Sequence, residues 1–94
     1  MSNYRITPWT RDQANRLGVL IRPARDPAKK LDVYNKKTGE KIATIGSAQH
    51  MDYGQYLLKD KELANERRRL YKIRHQRDRT VKGSPGYWAD QLLW

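Results

Sequence analysis

Apolar residues occur along this chain in short groups, and their spacing alternates between the period of a helix and that of a strand. Thr10 offers a hydroxyl to the free N–H groups of a helix start, and Gln13 three places on completes a capping box. Gly18 follows Leu17 as a left-handed stop, so a short N-terminal helix is predicted over residues 10–17. Trp9 stands just ahead of this cap. Its nearest partner one turn on is only Ala14, so its ring is expected to reach across to another element. Residues 19–22 read as a short extended run closed by Pro23, and residues 23–30, with two prolines, read as a connector.

Two β-prone segments follow, Leu-Asp-Val-Tyr-Asn at 31–35 and Lys-Ile-Ala-Thr-Ile at 41–45. The polar stretch between them contains Gly39, which predicts a β-hairpin. Alternation places Leu31 and Val33 on one face opposite Ala43 and Ile45, with Tyr34 and Thr44 on the other. Two strands alone are marginal, and the helix that follows is the expected cover.

The spacing of Tyr53, Tyr56 and Leu57 suggests a helical turn, and Asp60 is a second start, for a long helix reaching about Arg79. On its wheel Leu63, Ala64, Leu70 and Tyr71 share an arc with Ile73 at the edge, and Arg67 and Arg74 fall inside it. Arginines in an apolar stripe pair with carboxylates, lay their stems over rings, or meet a ligand. Residues 82–86, Lys-Gly-Ser-Pro-Gly, break the helix. Ser84 and Pro85 then start a last one with Trp88, Leu92 and Trp94 turned inward.

Composition sharpens this outline. The 94 residues allow one domain, and Leu, Ile, Val and Phe together make fewer than one residue in five, a level at which a highly charged chain tends to stay unfolded. Three Trp and six Tyr must supply the missing core. With no Cys, disulfides and thiolate metal sites are excluded. Apolar runs such as Val19-Leu20-Ile21 stop at three residues, so neither a membrane span nor a signal-peptide core is expected.

Net charge is +10, and residues 59–82 alone contribute +6. Such a chain seeks polyanions, and nucleic acid, DNA first, is the leading partner. Seven of the fourteen residues from Glu66 to Arg79 are Lys or Arg. Arg67, Arg68, Arg69, Lys72, Arg74, Arg77, Arg79 and Lys82 are the candidate phosphate contacts, with Lys36, Lys37 and Lys41 of the hairpin as a second set. The bland alternative is a solvated helix whose Glu62, Glu66 and Asp78 pair with neighbouring arginines. No zinc-finger, basic-zipper or RNP pattern is present, so little sequence preference is expected.

His50 with Asp52 and His75 with Asp78 could be imagined as a metal-dependent nuclease pair. Metal sites want three or more convergent ligands, and the chain has no His-Glu-x-x-His, phosphate-binding glycine loop or nucleophile elbow. The expectation is a non-enzymatic protein with no cofactor and no metal. Lys82 and the Gly83-to-Gly86 turn could hold one phosphate, although a cap-and-turn role accounts for the same residues. The apolar end Leu92-Leu93-Trp94 either closes the core or docks on a partner.

Taken together, the Lys-rich hairpin, Asp52-Tyr53 before a helix containing the run from Glu66 to His75, the Lys82-to-Tyr87 turn and the closing Ala89-Asp90-Gln91-Leu92-Leu93-Trp94 resemble small basic proteins encoded by large nucleocytoplasmic DNA viruses. The resemblance covers about residues 17–94 and brings no catalytic residues. It implies a virion protein, present in host cytoplasm or nucleus during assembly, that contacts the genome or serves as a minor capsid or cement protein bridging acidic capsid subunits within a larger particle.

The resulting expectation is a small α+β domain: a β-hairpin, joined by a third short strand if residues 19–22 pair, packed against a long basic helix and a short aromatic C-terminal helix. Its parts are an N-terminal helical arm (1–18), an extended segment and hairpin (19–58), a basic helix (59–82) and a C-terminal helix (83–94).

Overall fold

A computed structural model describes all 94 residues. Helix α1 (Pro8–Leu17) begins one turn earlier than the capping pattern suggested. Thr7, in extended conformation, is the true cap, its hydroxyl accepting from the Thr10 N–H at 3.3 Å, and Pro8 fills the first helical position, where a missing N–H costs nothing. Thr10 is buried inside the helix, and Trp9, within its first turn, reaches across to lie edge-on to Tyr53 at 4.8 Å. Gly18 ends α1 with φ +70°, donating to the carbonyls of Ala14 and Asn15.

Strands β1 (Val19–Pro23), β2 (Lys29–Asn35) and β3 (Lys41–Ser47) form an antiparallel sheet in the order β1-β2-β3. The run before Pro23 is thus a third strand, and β2 begins at Lys29, inside the expected connector. Leu31 faces Ile45 and Val33 faces Ala43, the pairing read from alternation. Asn35 closes the hairpin, its side chain accepting from the N–H groups of Lys37 and Thr38.

The chain then forms α2 (Tyr53–Leu57), α3 (Lys61–Arg74), α4 (Gln76–Arg79) and α5 (Pro85–Leu93). Asp52 and Gln55 cap α2 reciprocally, Asp60 caps α3 and Ser84 caps α5, each by accepting backbone N–H groups. No helix is long and apolar enough to cross a membrane.

The domain is α+β, and its sheet is covered by α1 and α5, whereas α3 packs chiefly on α2. Leu92 and Leu93, almost wholly buried, join Ala14, Val19, Leu31, Val33, Ala43 and Ile45 in the core. The apolar C-terminal end therefore closes the core, and Leu93 points inward as well as Leu92. Gly46 in β3 makes room for this: a Cβ there would meet Leu93 Cδ1 at 2.7 Å.

The single long helix expected to reach Arg79 is interrupted at His75, which leaves helical geometry at φ −109°, ψ 25°. The interruption directs α4 back onto α5, where Gly86 packs against the Asp78 backbone. Arg79 Nε donates to the Lys72 carbonyl at 3.3 Å, satisfying a group near the end of α3.

Candidate nucleic-acid interface

Helix α3 carries its basic residues on nearly every side, and tertiary packing sorts them by task. On the side facing the fold, the Arg68 guanidinium lies over the rings of Tyr53 (4.7 Å) and Trp9 (5.8 Å). Lys72 reaches across to the buried Asp90 at 2.6 Å, and so is a structural cation rather than a free phosphate contact. Arg79 is likewise occupied by the Lys72 carbonyl. Arg69 pairs with Glu66 at 2.7 Å on the exposed surface, which holds the Glu66 carboxyl below its ordinary range. That i,i+3 contact is the one helical arginine–glutamate pair that forms.

Arg74, Arg77 and Lys82 are exposed and make no ion pair or side-chain hydrogen bond. Arg67 is exposed with its guanidinium 5.8 Å from the Tyr56 ring centre. In the hairpin turn Lys36 and Lys37 are exposed, while Lys41 approaches the buried Asp32 at 3.5 Å. Burial pushes the Asp32 carboxyl up, but the Thr44 hydroxyl at 2.6 Å, the Arg25 N–H and Lys41 outweigh it and leave it below the usual carboxylate range.

Several apolar positions of the wheel are not covered. Ala64 and Tyr71 are buried, but Leu63, Leu70 and Ile73 stay exposed. Tyr71 is held by rings on both faces, Trp94 stacked at 4.5 Å and 7° and His75 at 4.3 Å and 22°. Burial, then the Asp90 charge, pushes its hydroxyl up to about 12.

Between α3, the outer strand β3 and α5 lies a groove of about 740 Å³. Arg67, Arg74 and Lys29 line it together with Tyr56, Tyr71 and Trp94. Both histidines also line it, but the two imagined metal pairs do not come together into one site there. Asp52 turns inward to cap α2, and His75 Nδ1 has only Asp78 beside it, at 3.6 Å. No three His, Asp or Glu side chains converge anywhere in the chain. The Gly83-to-Gly86 turn serves as cap: the Ser84 hydroxyl accepts from the Tyr87 N–H and donates to the Asp78 carbonyl.

One cluster had no sequence signal. Lys30, buried in the sheet, donates to Asp52 at 3.1 Å and to Gln55 at 3.2 Å, and the Tyr4 hydroxyl donates to the same Asp52 oxygen at 2.6 Å. Burial lowers the Lys30 ammonium from its ordinary value although Asp52 opposes this, and burial beside Asp52 raises the Tyr4 hydroxyl. The residues lie 22 and 48 positions from Asp52, so no local pattern announces them.

Comparison with protein-family models, curated proteins and solved structures finds no match for this chain.

Proposed function

We propose that this protein holds nucleic acid through the sugar-phosphate backbone, using Arg67, Arg74, Arg77 and Lys82, with Arg69 and the hairpin lysines as further contacts. The observation that carries this reading is a division among the cations. Lys30, Lys72 and Arg79 are taken by groups of the fold, whereas Arg74, Arg77 and Lys82 stand exposed without any carboxylate partner. Unneutralised cations on one continuous stretch suit phosphates, which release counterions on binding and carry little sequence information.

Titration of unrelated DNA sequences in rising salt tests it. The four principal contacts alone give a slope of log affinity against log salt of about −3.6 on duplex DNA and about −2.8 on single strands, steeper where the further contacts engage. Binding that is absent at about 50 mM salt, or indifferent to salt, refutes the reading.

A second reading, a minor capsid or cement protein seated among acidic subunits, draws support from the exposed apolar side chains Leu58, Leu63, Leu70, Ile73 and Val81, all within or beside the basic segment. The virion setting of both readings comes from sequence resemblance. Locating the chain in intact particles separates them, since a genome binder lies inside the shell and a cement protein within it.

A further inference from the structure

The free cations of α3 do not stand on a flat surface. Arg67 and Arg74 line the groove described above, opposite β3, and share it with three aromatic rings. We infer that this groove takes a single strand of nucleic acid, with phosphates on Arg67, Arg74 and Lys29 and a base continuing the ring column at His75. The inference rests on the phosphate-binding reading and names the form of nucleic acid that fits.

The column is the reason. Trp94, Tyr71 and His75 lie near parallel, spaced 4.5 Å and 4.3 Å apart, and Tyr71 is covered on both faces. His75 has Tyr71 on one face and no second ring, and its side chain is 39% exposed. The stack thus ends at the groove wall on a partly exposed imidazole, and a base is inferred to continue it there. Bases offer such a ring without regard to sequence, and stacking of this kind is the usual grip on single strands.

Charge points the same way. Asp78 is the single acidic side chain along the groove, while Lys29, Arg67 and Arg74 are free of ion pairs. A groove of about 740 Å³ is of the size that takes a small ligand such as a nucleotide or two. A duplex keeps its bases stacked within and presents only phosphates to the rim; an unpaired strand presents both phosphate and base. An acidic peptide would satisfy the arginines and leave the ring column unused.

The test uses the full chain and fluorescence anisotropy of labelled (dT)12 at about 50 mM salt. Unlabelled (dT)12, (rU)12, a duplex with the same number of phosphates and poly-glutamate of equal length serve as competitors. The single strands are expected to compete at least about tenfold better than the duplex, within what one stacked base contributes, and poly-glutamate to compete poorly. His75→Ala should weaken single-strand binding about fivefold or more and leave duplex binding unchanged. His75→Phe, which keeps a ring, should restore it. Arg67→Glu with Arg74→Glu should abolish the preference, whereas Lys36→Glu with Lys37→Glu, outside the groove, should weaken both forms alike. Equal affinity for strand and duplex, with His75→Ala silent, overturns the groove inference and leaves phosphate binding standing. Loss of all nucleic-acid binding overturns both, and poly-glutamate as the best competitor assigns the groove to an acidic protein.

Discussion

Asp52 has no exposed surface and holds together three parts of the chain, so replacing it by Asn is a severe test of the packing. One carboxylate oxygen takes the Tyr4 hydroxyl at 2.6 Å and the Lys30 ammonium at 3.1 Å; the other takes the Gln55 N–H at 2.9 Å. An amide can keep the cap but presents an NH2 where the charged oxygen stood, leaving Lys30 buried at 3% exposure without its counter-charge. Removing one partner of a buried pair costs about 3–5 kcal/mol. In a domain of this size that lowers Tm by at least about 12 °C. Lys30→Met keeps the stem that lies beside Gly46 and leaves Asp52 with two hydrogen-bond donors, so it should cost only about 2–3 kcal/mol. The double variant no longer buries an unpaired charge, and it should be more stable than the two single losses sum to, by about 1–3 kcal/mol. Urea unfolding of the four proteins at pH 7, followed by far-UV circular dichroism and read as midpoints at a common slope, supplies all four numbers. Strict additivity, or an Asp52→Asn loss below about 0.5 kcal/mol, would show that Lys30 and Asp52 are not a buried pair.

Further outcomes follow from the same contacts. Lys72→Met should destabilise the fold by about 3 kcal/mol or more, because it strands buried Asp90, while Arg74→Met should leave stability within about 0.5 kcal/mol and weaken nucleic-acid binding; thermal melts beside salt titrations check the contrast, and equal behaviour of the two refutes the sorting of cations. Gly54→Ala places a methyl against the Thr7 side chain that caps α1 and should cost about 1–3 kcal/mol in urea unfolding. Tyr4 and Tyr71 lose their protons at higher pH folded than unfolded, so the unfolded chain releases them first and stability falls as pH rises above about 10. Lys30, lowered by burial, works in the opposite direction over the window below its unfolded value; Tyr71→Phe should flatten the net alkaline loss, and an unchanged profile in melts between pH 9 and 11.5 counts against the burial described. In acid, Asp32 is held ionised below the ordinary carboxylate range, so the stability it contributes is present above about pH 4 and lost as pH falls through its folded value; Asp32→Asn should remove that part of the acid transition.

Local features of this fold were legible because they depend on neighbours within about four residues. Asp60 and Ser84 cap helices, Gly18 stops one, and alternation around Gly39 sets the hairpin pairing through hydrogen bonds and side-chain facing that the segment itself dictates. The Thr10 assignment erred within the same range, since Thr7 with Pro8 offers a better start than Thr10 with Gln13. Net positive charge over residues 59–82 was equally plain from the letters. What those letters could not assign was the occupation of each cation. Lys72 belongs to Asp90, 18 residues away, and Lys30 to Asp52, because packing of α5 and α2 brings those carboxylates near; the stack of Trp94 and His75 on Tyr71 arises where α3 meets the end of the chain. Attraction between groups distant in sequence depends on where the intervening elements place them, so the distinction between a structural lysine and a free arginine exists only in the assembled fold.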